Sequence, residues 1–206
     1  MIRLILVRHG NTFEEGQVPV QVGSGMDLAL TDRGKQQAEL MARFLVRRQI
    51  QPDAIYAGNL KRQTEFGEII AEHFKLPVQY EPALTEIDYG AWEGLSASQI
   101  EQLWPQEYKL WNEEAKWPHS LFRASEKYHL DLIDLWFSSL KKNFVLPKTI
   151  VAVTSNGILR FLPKENKSKV KTGHFCELHL FDGSYEIKQW NVDPSYTETN
   201  NFSTSF

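Results

Sequence analysis

The fold is decided by the stretch Ile2-Arg3-Leu4-Ile5-Leu6-Val7-Arg8-His9-Gly10. An apolar, β-branched run that stops at a glycine is typical of a buried strand followed by a turn. Arg8 and His9 should therefore lie at the rim of a sheet, which is where open α/β sheets bind ligands. An arginine offers a fixed positive fork to an oxyanion, and a histidine can attack or transfer protons near neutral pH. The pair indicates phosphate chemistry.

Composition limits the class of protein. The chain has 206 residues, of which 42% are hydrophobic, and we predict a single domain over residues 1–206. A net charge of −3 without a long basic cluster argues against a nucleic-acid partner. Cys176 is the only cysteine, which excludes an internal disulfide and favours a reducing compartment. No apolar run reaches membrane-spanning length, so we expect a cytoplasmic protein without a membrane partner. The single cysteine excludes a zinc site built from cysteine pairs, and we expect neither a metal nor a cofactor.

The order of elements in the first half predicts an α/β fold. Helical spacing of apolar residues begins after Thr31, an N-cap residue type. The predicted order after the first strand is a helix over 31–46, a strand over 53–57, a helix over 60–74 and a strand over 78–80. This order implies a three-layer sandwich, with a mostly parallel central sheet flanked by helices. The polar connection over 11–32 is long enough to be a binding loop.

The second half returns to the sheet after a helical segment. Aromatic and leucine residues recur at helical spacing, broken by Pro105 and Pro118, which predicts a short helical insertion at about 95–145. A buried strand over 149–154 ends at Ser155-Asn156-Gly157. Strands over 176–181 and 185–190 are joined by Asp182-Gly183, a common hairpin turn. The last segment, about 193–206, is a polar tail.

Three predicted strand ends carry reactive or anion-binding groups: Arg8-His9, Asn59-Leu60-Lys61-Arg62, and Ser155-Asn156-Gly157. A parallel sheet gathers such ends along one edge. Two arginines and a histidine there would bind a phosphoryl group through charge-assisted hydrogen bonds. Taken alone, Arg62 is more typical of a surface residue.

The chain resembles the histidine phosphatase superfamily, also called the phosphoglycerate mutase-like family. The resemblance rests on motifs in order: Arg8-His9-Gly10-Asn11-Thr12, then Asp27-Leu28-Ala29-Leu30-Thr31 with Gly34 and Gln37-Ala38, then Leu60-Lys61-Arg62, then Leu84-Thr85-Glu86-Ile87-Asp88-Tyr89-Gly90 with Trp92-Glu93-Gly94. It extends to Lys171-Thr172-Gly173 and Trp190-Asn191. The resemblance implies a phosphoglycerate mutase-like fold.

The resemblance also implies roles for individual residues. His9 is the expected nucleophile, which forms a phosphohistidine, and Arg8 and Arg62 are expected to hold the phosphate. Glu86 is the expected acid for the leaving oxygen, with a pKa raised by burial beside its apolar neighbours. The alternatives are a buried structural histidine at position 9 and a local capping role for Glu86. Asn11 and Thr12 are candidate phosphate ligands, although backbone N–H groups of the Gly10 turn could replace them.

Two departures from the family pattern bear on activity. Ser155 stands where the family usually has a second histidine, and a serine donor without positive charge would weaken phosphate stabilisation by roughly 1.5–3 kcal/mol. His174 is a conceivable substitute, with a structural histidine as the alternative. Glu14 and Glu15 follow the first motif, where an acid would repel phosphate. They must point away, bind a cationic substrate group, or indicate altered chemistry.

The function predicted from these residues is that of a phosphomonoesterase. It would act through a phosphohistidine on a small phosphorylated metabolite or a phosphoprotein. The alternative is a catalytically weakened or regulatory protein that binds a phosphorylated ligand or inorganic phosphate. A mutase is less favoured, because the insertion is short compared with those of the sugar-phosphate mutases. This preference rests on analogy, because fold does not fix function.

Overall fold

The sheet places four strand ends side by side. A computed structural model describes residues 1–143, 147–162, 169–182 and 184–195. Within them the strands are β1 (Ile2–Arg8), β2 (Ala54–Ala57), β3 (Val78–Tyr80), β4 (Lys148–Thr154), β5 (Phe175–Phe181) and β6 (Ser184–Val192). Their order is β3-β2-β4-β1-β5-β6. The first four run parallel, and β5 and β6 pair antiparallel at one side.

Helices cover both faces of this sheet. They are α1 (Asp32–Arg47), α2 (Lys61–Phe74), α3 (Ala97–Leu103), α4 (Pro105–Glu114), α5 (Glu126–Asn143) and α6 (Asn156–Leu159), with 3₁₀ turns at Pro82–Leu84 and Gly90–Trp92. The N-cap prediction for α1 is confirmed, because the Thr31 hydroxyl accepts a hydrogen bond of 3.1 Å from the Gly34 N–H. The predicted α/β class, with a mostly parallel sheet flanked by helices, is also confirmed.

The two faces of the sheet carry separate apolar clusters. Side chains of β1 alternate between them, since successive residues of a strand point to opposite faces. Ile5 and Val7 pack in a cluster with buried residues of α1 and α2. Leu4 and Leu6 belong to the other cluster, which holds Trp92, Trp111 and Trp136. The sheet is therefore the middle of three layers.

The predicted boundaries agree with the structure in most places. The predicted insertion contains α3, α4 and α5, and Pro105 is the first residue of α4, where its missing N–H costs no helical bond. The first hairpin strand is one residue longer than predicted and the second is three residues longer. Gly183 of the predicted turn, residues 144–145 of the insertion and residues 196–206 of the tail lie outside the described residues.

A close backbone contact positions the turn after β1. A Cβ on Gly10 would lie 2.4 Å from the Gly34 carbonyl oxygen, and a Cβ on Gly34 would lie 2.3 Å from the Asn11 carbonyl oxygen. Only glycines allow the turn and the start of α1 to approach this closely. The backbone after His9 is therefore held against α1, the next element of the chain.

Across the described ranges, none of the helices combines the length and apolar composition that a membrane crossing requires.

Candidate active site

The carboxyl ends of the parallel strands open into one cavity of about 570 Å³. Such a volume is ordinary for a pocket that takes a whole small molecule. The backbone of His9 is tied to the neighbouring strand end by a hydrogen bond of 3.0 Å from its N–H to the Thr154 carbonyl. Six of the seven residues predicted for the site line the cavity: Arg8, His9, Asn11, Thr12, Arg62 and Glu86.

The ring of His9 is oriented by its own turn. Its Nδ1 lies 2.8 Å from the Gly10 carbonyl oxygen, which can only accept a hydrogen bond. Nδ1 of the neutral ring therefore carries the proton, and Nε2 keeps the lone pair. Burial, together with the charges of Arg62 and Arg8, holds the pKa of His9 well below its ordinary value. The ring is therefore neutral near pH 7, with a nitrogen available for attack.

Arg62 is a buried residue and not the surface residue that its type alone suggests. Its side chain is 1% exposed and lines the cavity. Its guanidinium donates to the carbonyls of Met26 at 2.7 Å and Gly23 at 3.0 Å, both in the long loop after β1. The loop is braced in turn by Glu93, whose Oε1 accepts from the Gly25 N–H at 3.2 Å. These contacts fix the position of the guanidinium.

The guanidinium of Arg8 has one nitrogen that is hydrogen-bonded to the protein and one that has no partner. Its Nη1 donates to the Val170 carbonyl at 2.6 Å, whereas its buried Nε has no hydrogen-bond partner. Desolvation lowers its pKa, but the shift is opposed by the nearby Glu86. An arginine remains charged under such a shift. Arg8 and Arg62 therefore supply two fixed positive charges to the same cavity as His9.

Asn11 is held by neighbours from distant parts of the chain. Its side-chain oxygen accepts from the Thr172 hydroxyl at 2.6 Å, and its N–H donates to Gln37 Oε1 at 2.8 Å. Gln37 also donates to the Thr172 carbonyl at 3.0 Å. Thr172 and Gln37 belong to motifs that the sequence singled out, and their role here is to hold the first turn.

Glu86 is a buried carboxyl group, 6% exposed. Its oxygens accept from the N–H groups of Ile87 at 2.9 Å and Gly157 at 3.3 Å. The predicted increase in its pKa is confirmed: burial is the largest influence and raises the pKa, although these two N–H groups, Arg62 and Arg8 oppose it. A carboxyl group with a raised pKa is suited to proton donation.

Ser155 is placed differently from its predicted role as a phosphate ligand. It is fully buried and does not line the cavity, whereas its neighbour Asn156 does. Its hydroxyl accepts a hydrogen bond of 2.9 Å from the Gln63 side chain of α2. The strand end turns into α6 at this point, so the hydroxyl faces α2 instead of the cavity.

His174 lies outside the cavity lining. Its Nδ1 donates to the Asn191 carbonyl at 3.1 Å, and its Nε2 is 3.8 Å from Asp193. The structure therefore favours the structural alternative for His174. Glu14 and Glu15 are exposed and do line the cavity, so they do not both point away from it.

Several cavity residues were not predicted. Tyr89 is buried and lies close to Glu86, since a Cβ on Gly157 would be 2.2 Å from Glu86 Oε1 and 2.7 Å from the Tyr89 hydroxyl. Arg160 and Lys169 also line the cavity. Arg160 lies five residues after Ser155, and no local pattern in this segment predicts that its side chain is buried in the cavity. Lys169 had no local signal.

Comparisons with known proteins identify the family of the chain. The model of the histidine phosphatase superfamily (branch 1) matches residues 4–193, and the chain belongs to this superfamily. It is 38% identical over 128 residues to phosphoserine phosphatase 1 of Hydrogenobacter thermophilus, covering 61% of this chain and 57% of that protein. It is 28% identical over 176 residues to a 2,3-bisphosphoglycerate-dependent phosphoglycerate mutase of Buchnera aphidicola, covering 81% and 75%.

Among solved structures, a mycobacterial glucosyl-3-phosphoglycerate phosphatase in complex with VO3 superposes with a TM-score of 0.77. The two chains are 25% identical, and the superposition covers 92% of this chain and 98% of the other. The chain spans about half the length of the curated phosphatases that it matches.

Proposed function

We propose that the chain is a phosphomonoesterase that hydrolyses a small phosphorylated substrate through a phosphohistidine on His9. One observation carries the proposal: a neutral imidazole with a free Nε2 shares a cavity with the partly buried Arg8, the buried Arg62 and a carboxyl group of raised pKa. A phosphoryl transfer of this kind needs a nucleophile, cations that hold the phosphate and a proton donor, and here these are His9, the two arginines and Glu86.

In the first step, Nε2 of His9 attacks phosphorus. The N–P bond forms, the bond between phosphorus and the leaving oxygen breaks, and that oxygen takes the proton of Glu86. Arg8 and Arg62 neutralise the charge on the other phosphoryl oxygens. The raised pKa of Glu86 keeps its proton available for this step.

In the second step, water attacks the phosphohistidine. The Glu86 carboxylate takes a proton from this water, the N–P bond breaks, and phosphate leaves with Nε2 restored. Glu86 therefore alternates between acid and base, and its proton is recovered in each cycle. No cofactor takes part in either step.

We also propose that Asn11 and Thr12 line the phosphate subsite, with Asn11 oriented by Thr172. We propose a cytoplasmic location and no nucleic-acid partner, supported by the single buried cysteine and the net charge of −3. Ser155 is not included in the phosphate subsite, because its hydroxyl pairs with Gln63.

The test is hydrolysis of phenyl phosphate by the full chain. The reaction is monitored by measuring released phosphate and by trapping an acid-labile phosphoenzyme. We expect His9→Ala to abolish both turnover and the trapped phosphoenzyme. We expect Glu86→Gln to accumulate phosphoenzyme from p-nitrophenyl phosphate, because this leaving group departs without a proton whereas breakdown of the phosphoenzyme loses its base. His73→Ala is the matched control, since His73 lies on α2 outside the cavity and contacts Glu39.

Turnover that survives His9→Ala would show that the proposed nucleophile is wrong. Binding of inorganic phosphate without any turnover would support the regulatory alternative. Transfer of the phosphoryl group to an added sugar phosphate in preference to water would support a mutase.

A further inference from the structure

A second group of cationic side chains lies in the same cavity. Arg160, directly after α6, is 1% exposed, and Lys169 lines the cavity with it. Neither residue belongs to the phosphate clamp formed by Arg8 and Arg62. The cavity therefore contains more positive charge than the clamp provides.

Arg160 is fixed by residues of α4. Its guanidinium carbon lies 4.4 Å from the ring centroid of Trp111, and its Nη2 donates to the carbonyls of Trp111 and, at 3.3 Å, of Asn112. These contacts hold the guanidinium plane but bring no negative charge. Among the described residues, Arg160 has no salt-bridge partner, and its buried Nε and Nη1 have no hydrogen-bond partner.

A buried arginine with two free nitrogens is costly unless something pairs with it. Buried charges in proteins are normally paired and hydrogen-bonded, because removing a charge from water is unfavourable. The carboxyl group whose charge reaches Arg160 is Glu86. That group already accepts hydrogen bonds from Ile87 and Gly157, and it must be protonated to act as the acid. No acidic side chain among the described residues therefore pairs with Arg160.

Lys169 adds to the same positive region. Its ammonium group donates to the Asn112 side-chain oxygen at 2.7 Å, which ties it to the segment that holds Arg160. Burial lowers the pKa of Lys169, and repulsion from the charges of Arg160 and Arg8 lowers it further. The indole Nε1 of Trp92, another residue that lines the cavity, is also an unpaired buried donor. An anion bound beside Arg160 and Lys169 would relieve their repulsion and pair with the two free nitrogens of Arg160.

We infer that Arg160 and Lys169 bind a second anionic group of the substrate, a carboxylate or a second phosphate, on the leaving-group side of the cavity. This inference rests on the proposed function. Glu86 protonates the leaving oxygen in that proposal. The Glu86 carboxyl group lies beside the Tyr89 hydroxyl at Gly157, and the Tyr89 ring is 6.1 Å from the Trp111 ring that Arg160 covers. A group joined to the leaving oxygen would thus extend toward Arg160.

Matched pairs of phosphate esters test the inference. O-phosphoserine and O-phosphoethanolamine differ only in a carboxylate, and 1,3-propanediol bisphosphate and 3-hydroxypropyl phosphate differ only in a second phosphate. We expect kcat/KM for the anion-bearing member of at least one pair to be about tenfold higher, the size of one charge-assisted contact. The pair that shows the preference identifies the anion as carboxylate or phosphate.

Variants assign the preference to these residues. We expect Lys169→Met to reduce the preference within the pair about tenfold. We expect Arg160→Lys to reduce it as well, because lysine keeps the positive charge but lacks the planar guanidinium fork. Lys171→Met is the matched control, because Lys171 is exposed and does not line the cavity. Circular dichroism verifies that the Arg160→Lys protein is folded, and the Lys169 variant gives an answer independent of it.

Binding measurements separate this inference from the proposed function. Calorimetric titration of the His9→Ala protein with each pair gives affinities even if no ester is turned over. Equal affinities and equal kcat/KM within both pairs would overturn the inference while leaving hydrolysis of phenyl phosphate as evidence for the enzyme. A loss in Lys169→Met that is equal for all esters would also overturn it, because the lysine would then serve the transferred phosphate.

Discussion

The substitution Gly157→Ala should disable Glu86 without touching the nucleophile. The Cβ of the alanine would lie 2.2 Å from Glu86 Oε1 and 2.7 Å from the Tyr89 hydroxyl. Non-bonded carbon and oxygen atoms settle at roughly 3.5 Å, so the carboxyl group must move by about 1 Å. It also loses its hydrogen bond to the Gly157 N–H in doing so. A catalytic group displaced by about 1 Å costs on the order of 100-fold in rate.

The dependence on leaving group identifies the cause of this loss. An alkyl alcohol needs a proton from Glu86 as it leaves, whereas p-nitrophenolate leaves without one. We expect kcat/KM for ethyl phosphate to fall about 100-fold in Gly157→Ala, and kcat/KM for p-nitrophenyl phosphate to fall much less. The parameter kcat/KM is chosen because it reports the first chemical step, before Glu86 acts as a base.

A matched glycine provides the control. Gly67 lies inside α2, and a Cβ there would meet its nearest atom, the Cβ of Ala57, at 3.3 Å. We expect Gly67→Ala to keep both activities within about twofold, since a gap of a few tenths of an ångström can be absorbed by a side chain. An unchanged kcat/KM for ethyl phosphate in folded Gly157→Ala would refute the acid role of Glu86. An equal loss for both esters would refute it as well.

Three further predictions follow from the site. The kcat/KM for phenyl phosphate should not fall as pH is lowered through about 6.5, because the pKa of His9 is well below that value, and it should fall as pH rises through the raised pKa of Glu86. A pH profile of kcat/KM tests both expectations, and a loss near pH 6.5 would contradict the neutral histidine. Ser155→Ala should cost about 1 kcal/mol of unfolding free energy in urea, since Gln63 loses an acceptor, while the inhibition constant of inorganic phosphate stays within about twofold. Glu93→Ala should raise KM severalfold with a smaller effect on kcat, because the loop that holds Arg62 loses its hydrogen bond from the Gly25 N–H to Glu93. An unchanged KM would contradict a role of this hydrogen bond in positioning Arg62.

The sequence was sufficient for features that depend on local patterns. The apolar run before Arg8 and the N-cap at Thr31 each predict an element that the structure contains. The gathering of Arg8, His9 and Arg62 followed from the parallel order of the strands, because parallel strand ends meet at one edge. Burial of Glu86 among apolar neighbours was also readable, because Ile87 and Leu84 flank it in the chain.

The features that were missed depend on contacts between distant segments. Whether Ser155 or Asn156 faces the cavity is decided by a single residue step at the end of β4, and the Gln63 side chain from another helix takes the serine hydroxyl. Arg160 enters the site because α4 supplies the Trp111 ring and two carbonyls to hold it. No local pattern encodes either contact, because each depends on how helices pack over the sheet.

The charge of the cavity supports one substrate with two anionic parts. Among the described residues that line it, five are cationic and three are acidic: Arg8, Arg33, Arg62, Arg160 and Lys169, against Glu14, Glu15 and Glu86. When Glu86 is protonated for catalysis, the excess is three positive charges. A phosphate monoester near pH 7 brings close to two negative charges, so it leaves about one positive charge unbalanced. The buried Arg160 has two nitrogens without a hydrogen-bond partner and no acidic partner among the described residues, so a carboxylate or phosphate on the leaving group is the addition that balances the charge at this position.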